Sequence, residues 1–174
     1  MSHAVSTAVI TGAGSGIGRA IAIELATHDH EVVIVEIDQA AGEETAAAIG
    51  EAGGTARVVS CDISNTESTE AAFSQIESID ILVNNAANDP KMEASGEVEW
   101  SRLENSPLEQ GQADVAVGLT GAFLSSRVIG YELARRRTGV ILHIPSDLGV
   151  IAPAQRPYRQ PGLPDDCLFF FSFS

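Results

Sequence analysis

The stretch "TAVITGAGSGIGRAIAIELATHDHEVVIVEID", residues 7 to 38, admits very few folds. A short run of β-forming residues, Thr7 to Thr11, leads into glycines at 12, 14, 16 and 18. Ile17, Ile21 and Leu25 then recur at helical spacing, and a second β-rich run follows. This is one strand, turn, helix and strand unit. A glycine-rich turn feeding a helix lets the backbone approach a diphosphate, while the first N–H groups of the helix and its positive dipole end supply the attraction. Gly12 permits the turn, and Gly16 and Gly18 permit close approach and packing.

The alternation continues down the chain. The pattern predicts a helix over about 39–52, a strand over 56–61 and a helix over 65–77 opened by the capping-box spacing Ser64-x-x-Glu67. A strand over 80–85 precedes an irregular polar stretch, 88–108. A long helix over 110–137 closes on Arg135, Arg136 and Arg137, whose charge suits a solvated helix C-terminus. A strand over 139–146 comes last. Strands alternating with helices define an α/β fold with a doubly wound, Rossmann-like parallel sheet. Residues 1–151 form the dinucleotide-binding domain, and the four prolines between 153 and 164 make 152–166 a loop.

With those elements placed, the motifs resemble the short-chain dehydrogenase/reductase family. Its TGxxxGxG pattern is matched by Thr11, Gly12, Gly16 and Gly18, and its NNAG motif reads here as "NNAA", Asn84 to Ala87. "CDIS" supplies Asp62, which the resemblance places at the adenine, and "VVIVEID" puts Glu36 at the end of the second strand, beside the adenosine ribose. The implied cofactor-binding set is Thr11, Gly12, Ser15, Gly16, Ile17, Gly18, Glu36, Asp62, Ile63, Asn84 and Asn85. The Glu36 carboxylate accepts from ribose hydroxyls and repels a 2′-phosphate, and neither Ser15 nor Ile37 offers a basic group, so the cofactor expected is NAD rather than NADP.

The resemblance also implies hydride transfer to or from a carbonyl or alcohol carbon, using a Tyr acid/base, a Lys four residues later, a Ser and often an Asn on the long helix. Ser146, at the end of "GVILHIPS", matches the Ser. Gly118 of "GLTG" stands where the Asn is expected. Lys91 is the one lysine, and neither Tyr131 nor Tyr158 has a lysine four residues on. A tyrosine near its unperturbed pKa of about 10 is a poor base at neutral pH, so acid/base catalysis by this chain is expected to be impaired. The alternative function is a non-catalytic dinucleotide-binding or interaction module, and a third reading is an unstable gene fragment. The segment from Ser146 to Asp166 resembles a bacterial branch of the family associated with nonulosonic acid and flagellin-glycan sugars, which implies a sugar-like small-molecule substrate.

The resemblance runs to residue 166, where "CLFFFSFS" replaces the expected approach to the Tyr helix. The expectation is a chain truncated or frameshifted there, with a sheet incomplete on its C-terminal side and an aberrant tail over 167–174. The long helix is the expected surface for a homo-oligomer or for pairing with a full-length relative.

Composition narrows the partners further. A net charge of −14, from 24 acidic residues against ten Lys and Arg, argues against nucleic acid and anionic membranes. No apolar run reaches the length of a membrane span, no leader is evident, and Cys61 and Cys167 lack CxxC spacing, so a reducing cytoplasmic location is expected. His28, Asp29 and His30 have no third ligand nearby, so no metal site is expected. His143 reads as a buried strand residue, and Trp100 as packing against the long helix.

Overall fold

The computed structural model describes residues 6–88 and 107–145. Ser146, Trp100, Lys91, Tyr158, Cys167 and the expected boundaries at 151 and 166 lie outside the described residues.

Five strands form one parallel sheet in the order β3-β2-β1-β4-β5. They are β1 (Thr7–Thr11), β2 (Glu31–Glu36), β3 (Thr55–Ser60), β4 (Ile81–Asn84) and β5 (Val140–His143). The connections carry α1 (Gly16–Thr27), α2 (Gln39–Glu51) and α3 (Thr66–Phe73), and then α4 (Leu108–Val115), a π-helical segment (Ala116–Gly121) and α5 (Ala122–Arg136). This is a Rossmann-like sheet, as the sequence pattern predicts.

Side-chain alternation along the strands feeds two cores. Val9, Val33, Val35 and Leu82 meet Phe73, Ile129 and Leu133 on the α3/α5 face. Ala8, Ile10, Val32, Ile34 and Val83 meet Ala22 and Ile49 on the α1/α2 face. The central strands are therefore apolar on both sides, which is why they read as unbroken Val/Ile runs. Burying each of the Val, Ile, Leu and Phe side chains contributes about 1.5–3 kcal/mol.

The register brings the strand ends level: Thr11 lies beside Val35, and Ile10 beside Val83. The chain leaves β1 toward β2 on one side, while β4 and β5 lie on the other. The crevice at that reversal, above the carboxyl ends of the strands, is where this fold accepts ligands.

Several local expectations are corrected. Helix α3 is capped by Asn65, whose Oδ1 accepts from the Ser68 N–H at 2.8 Å, and not by Ser64. The Ser64 hydroxyl donates instead to Asp62 Oδ1 at 2.6 Å. The helix ends at Phe73, and tight bonds from Gln75 N–H to Ala72 O and Ile76 N–H to Phe73 O turn the chain so that Ile76 and Ile79 also reach the core. Strand β5 is shorter than expected, and His143 is exposed, because β5 is an edge strand among the described residues. Arg136 is not a freely solvated helix end: it donates to Ile79 O at 2.9 Å and pairs with Asp80, tying α5 to the start of β4. No helix among the described residues is long and apolar enough to cross a membrane.

Candidate functional site

The turn after β1 is shaped by what a side chain would strike. A Cβ at Gly12 would lie 2.7 Å from Ala86 Cα, and Gly12 has φ +67°. A Cβ at Gly18 would lie 2.3 Å from Gly12 O and 2.4 Å from Asn85 Nδ2, so α1 can press against the turn only through a glycine. Gly16 differs: its φ is +55°, yet a Cβ there would meet nothing within 4 Å. Open space above Gly16 is the cradle that a side chain would fill.

Ser15 caps α1 with extended backbone but makes no side-chain hydrogen bond to it. The first N–H groups of the helix are thus left without a side-chain partner beneath the open cradle, as suits an anion.

A cleft of about 490 Å³ opens there. Gly12, Ser15, Gly16 and Ile17 line one wall, and Glu36, Asp62 and Ile63 line the far end. Asn85, Ala86, Ala87 and Asn88 close it from the β4 side, and Val117 of the π-helical segment reaches it from above. A smaller hollow of about 120 Å³ continues between the ends of β4 and β5, past Asn84, Gly118, His143 and Pro145. A separate groove of about 400 Å³ lies between α3 and α5 and touches none of these residues.

Three expected site residues stand behind the cleft wall. Thr11 is fully buried, and its Oγ1 accepts from the Asn85 and Ala86 N–H groups, each at 3.1 Å. Gly18 is buried under the turn. Asn84 points away, with Nδ2 donating to Ser126 Oγ at 3.0 Å, while its buried Oδ1 has no partner among the described residues. These residues hold the wall that the others form.

The far end is built from carboxylates and apolar edges. Glu36 Oε2 accepts from the Gly14 N–H at 2.9 Å, and Oε1 accepts from Ile37 N–H at 2.9 Å and Asp38 N–H at 3.2 Å. Asp62 Oδ1 accepts from the Ser64 N–H at 2.9 Å, so Asp62 fixes its own turn rather than capping α3. Burial pushes the Cys61 thiol up, outweighing its hydrogen bonds with Ser68 and Thr69, so the thiol beside Asp62 stays protonated at neutral pH. None of the described lining residues is Arg or Lys. Ile37, Cys61, Ala86, Ala87, Asn88 and Val117 also line the cleft; sequence reasoning missed them because only the folded loops bring them there.

A glycine-cradled strand-to-helix turn, a carboxylate closing the end of β2 and an Asn–Asn loop after β4 define a dinucleotide-binding oxidoreductase fold. The family model for short chain dehydrogenases matches residues 6–158, and the chain belongs to that family. It is 36% identical over 150 residues to the protein named "Probable oxidoreductase EphD" of Mycobacterium tuberculosis, covering 84% of this chain and 24% of that one. It is 30% identical over 149 residues to D-threitol dehydrogenase of Mycolicibacterium smegmatis, covering 83% of this chain and 54% of the enzyme. A 3-oxoacyl-[acyl-carrier protein] reductase from Brucella melitensis, solved with bound NAD, superposes with a TM-score of 0.76 at 28% identity over 87% of this chain and 57% of that one. A metagenomic short-chain oxidoreductase of similar fold was solved in complex with NADP. The chain thus spans about half the length of most such relatives and a quarter of EphD.

Proposed function

We propose that this chain is the NAD-binding part of an oxidoreductase acting on a carbonyl or alcohol carbon of a sugar-like small molecule. The observation that carries it is the open cradle at Gly16 above the uncapped start of α1. A diphosphate fits those donors. The Glu36 carboxylate, held by three backbone N–H groups, keeps one accepting position, on Oε2, for a ribose hydroxyl, while Asp62 and Ile63 face the adenine end. With no cation among the described lining residues, a 2′-phosphate beside Glu36 would be repelled, so NAD is preferred over NADP. When held there, the dinucleotide would supply or accept the hydride. Ser146 is the residue proposed to orient the substrate oxygen. The similarity to D-threitol dehydrogenase supports a polyol or sugar-like substrate.

A second reading, a dinucleotide-binding module without turnover of its own, is favoured by the tyrosines. Tyr131 is exposed on α5, and the residue four positions on, Arg135, bonds Glu132 at 2.8 Å. The 174 residues contain no Tyr-x-x-x-Lys pair. The exposed Leu119, Phe123 and Tyr131 on the long helix then offer an apolar surface for a second copy or a full-length relative. Sedimentation of the wild type and of Leu119→Glu/Phe123→Glu tests it: a concentration-dependent oligomer lost in the double variant is expected, and a monomer throughout would remove homo-oligomer pairing.

Calorimetry on the purified chain tests the main reading, with Gly16→Asp and Asp62→Ala as comparisons. Saturable NAD binding, about tenfold or more tighter than NADP and lost in Gly16→Asp, is expected. A folded chain that binds neither would overturn the dinucleotide reading, and equal affinities would overturn the preference. A polyol panel read by NADH formation separates enzyme from module.

A further inference from the structure

Gly14 is the one glycine of the turn that the family pattern does not require, yet its N–H and its carbonyl are both held by side chains. Its N–H donates to Glu36 Oε2 at 2.9 Å, and its carbonyl shares the proton of the fully buried Thr45 hydroxyl, at 3.3 Å, with Ala41 O, at 3.2 Å. A Cβ there would meet Ala41 Cβ at 2.8 Å and Glu36 Oε2 at 2.9 Å, so only glycine lets β2 and α2 approach this residue from both sides. We infer that Glu36 is a strut for the glycine-rich turn as well as a ribose acceptor, so that cofactor discrimination and the shape of the diphosphate cradle depend on one carboxylate.

The chemistry makes the two roles separable. Both carboxylate oxygens are engaged: Oε2 by Gly14, and Oε1 by Ile37 and Asp38. Glu36→Gln keeps the size but leaves one accepting oxygen, which satisfies more donors when it faces Ile37 and Asp38, so the NH2 faces the Gly14 N–H and breaks that grip. If Glu36 only read ribose hydroxyls, neutralising it would leave a ligand without those hydroxyls unharmed, and would favour its phosphates by removing a negative charge. A strut predicts the opposite sign. A simple charge swap at position 36 therefore weakens NAD without creating a good NADP site.

The inference rests on the NAD-binding reading only in its nucleotide arm. In the ligand-free chain, NMR amide exchange should accelerate about tenfold at Gly14 in Glu36→Gln. Gly12, whose N–H donates to Val35 O at 2.8 Å, should stay unchanged. Exchange at Gly14 that matches wild type, or that rises equally at Gly14, Ser15 and Gly16 through lost charge alone, overturns the strut. If Glu36→Gln unfolds, shown by loss of protection at Val9, then Glu36→Asp carries the same comparison, because it keeps the charge but retracts the oxygens. In calorimetry, ADP and 2′,3′-dideoxy-ADP should both weaken by about tenfold in the variant. Weakening of ADP alone overturns the inference. If wild type binds no nucleotide, the proposed function fails while the exchange comparison still decides the strut.

Discussion

The Asn85 side-chain nitrogen donates to the carbonyl oxygens of both Thr11 and Gly12, each at 3.1 Å, so the loop after β4 locks the turn after β1. The sheet alone could not do this, because β1 and β4 pair only as far as Ile10 and Val83. Removing the carboxamide in Asn85→Ala leaves two part-buried carbonyls without that donor and should cost about 1–2 kcal/mol in urea unfolding. Asn85→Asp should cost more, because a carboxylate would face two acceptors. Equal stability of all three proteins would show that the tie carries no load.

Gly16 and Gly18 separate shape from space. In Gly18→Ala the new methyl strikes the Gly12 backbone carbonyl, which cannot swing aside, and the Asn85 amide that locks the turn, so a loss of about 1–3 kcal/mol is expected. In Gly16→Ala the methyl enters open cleft, and only the left-handed backbone, at φ +55°, resists it. That variant should lose about 1 kcal/mol. Its NAD affinity should fall much more than its stability does. Thermal melts with calorimetry check the pair, and a Gly16→Ala protein that binds NAD normally would move the diphosphate elsewhere.

What could be read from the chain was the part governed by local pattern. Val/Ile runs bounded by turns mark the strands, and the glycine spacing marks one wall of the cleft. The parts that escaped are contacts between residues far apart in sequence. Nothing near Gly14 announces that Glu36 and Thr45 will hold it, and nothing near Arg136 announces Asp80. The exposure of His143 escaped for another reason: "GVILHIPS" looks like an interior strand, but burial depends on whether a neighbour covers both sides. The π-helical turn around Gly118 has no periodic signature, because one extra residue per turn over six residues is too short to shift a hydrophobic stripe visibly.

Acid should weaken the fold through Asp80. Partial burial pushes its carboxyl up, but the Thr7 N–H, the hydrogen bond and charge of Arg136 and the charge of His30 outweigh that and hold it below the ordinary carboxylate range. A group depressed on folding stabilises fully above its unfolded pKa, about 3.9, and its contribution is lost as pH falls through the folded value. Asp80→Asn should therefore be about 1–2 kcal/mol less stable than wild type at neutral pH. The gap should close below about pH 4. A gap that stays constant down to acid pH would mean that Asp80 acts by packing rather than by charge.

Arg137 ends α5 in the left-handed region, at φ 55° and ψ 36°, with its N–H donating back to Ala134 and Leu133 carbonyls. This is the position where helices usually place glycine, because a Cβ there crowds the neighbouring carbonyl by about 1–2 kcal/mol. The arginine contributes charge near the dipole's negative end, but Arg135 and Arg136 already supply it within the last turn. Arg137→Gly should relieve the strain, lose part of the gain to the greater freedom of the unfolded chain, and stabilise by about 0.5–1 kcal/mol. Arg137→Ala keeps the Cβ and should not stabilise. Urea midpoints for the two variants decide it: if alanine stabilises as much as glycine does, charge repulsion among the three arginines, and not backbone strain, is what the substitution relieves.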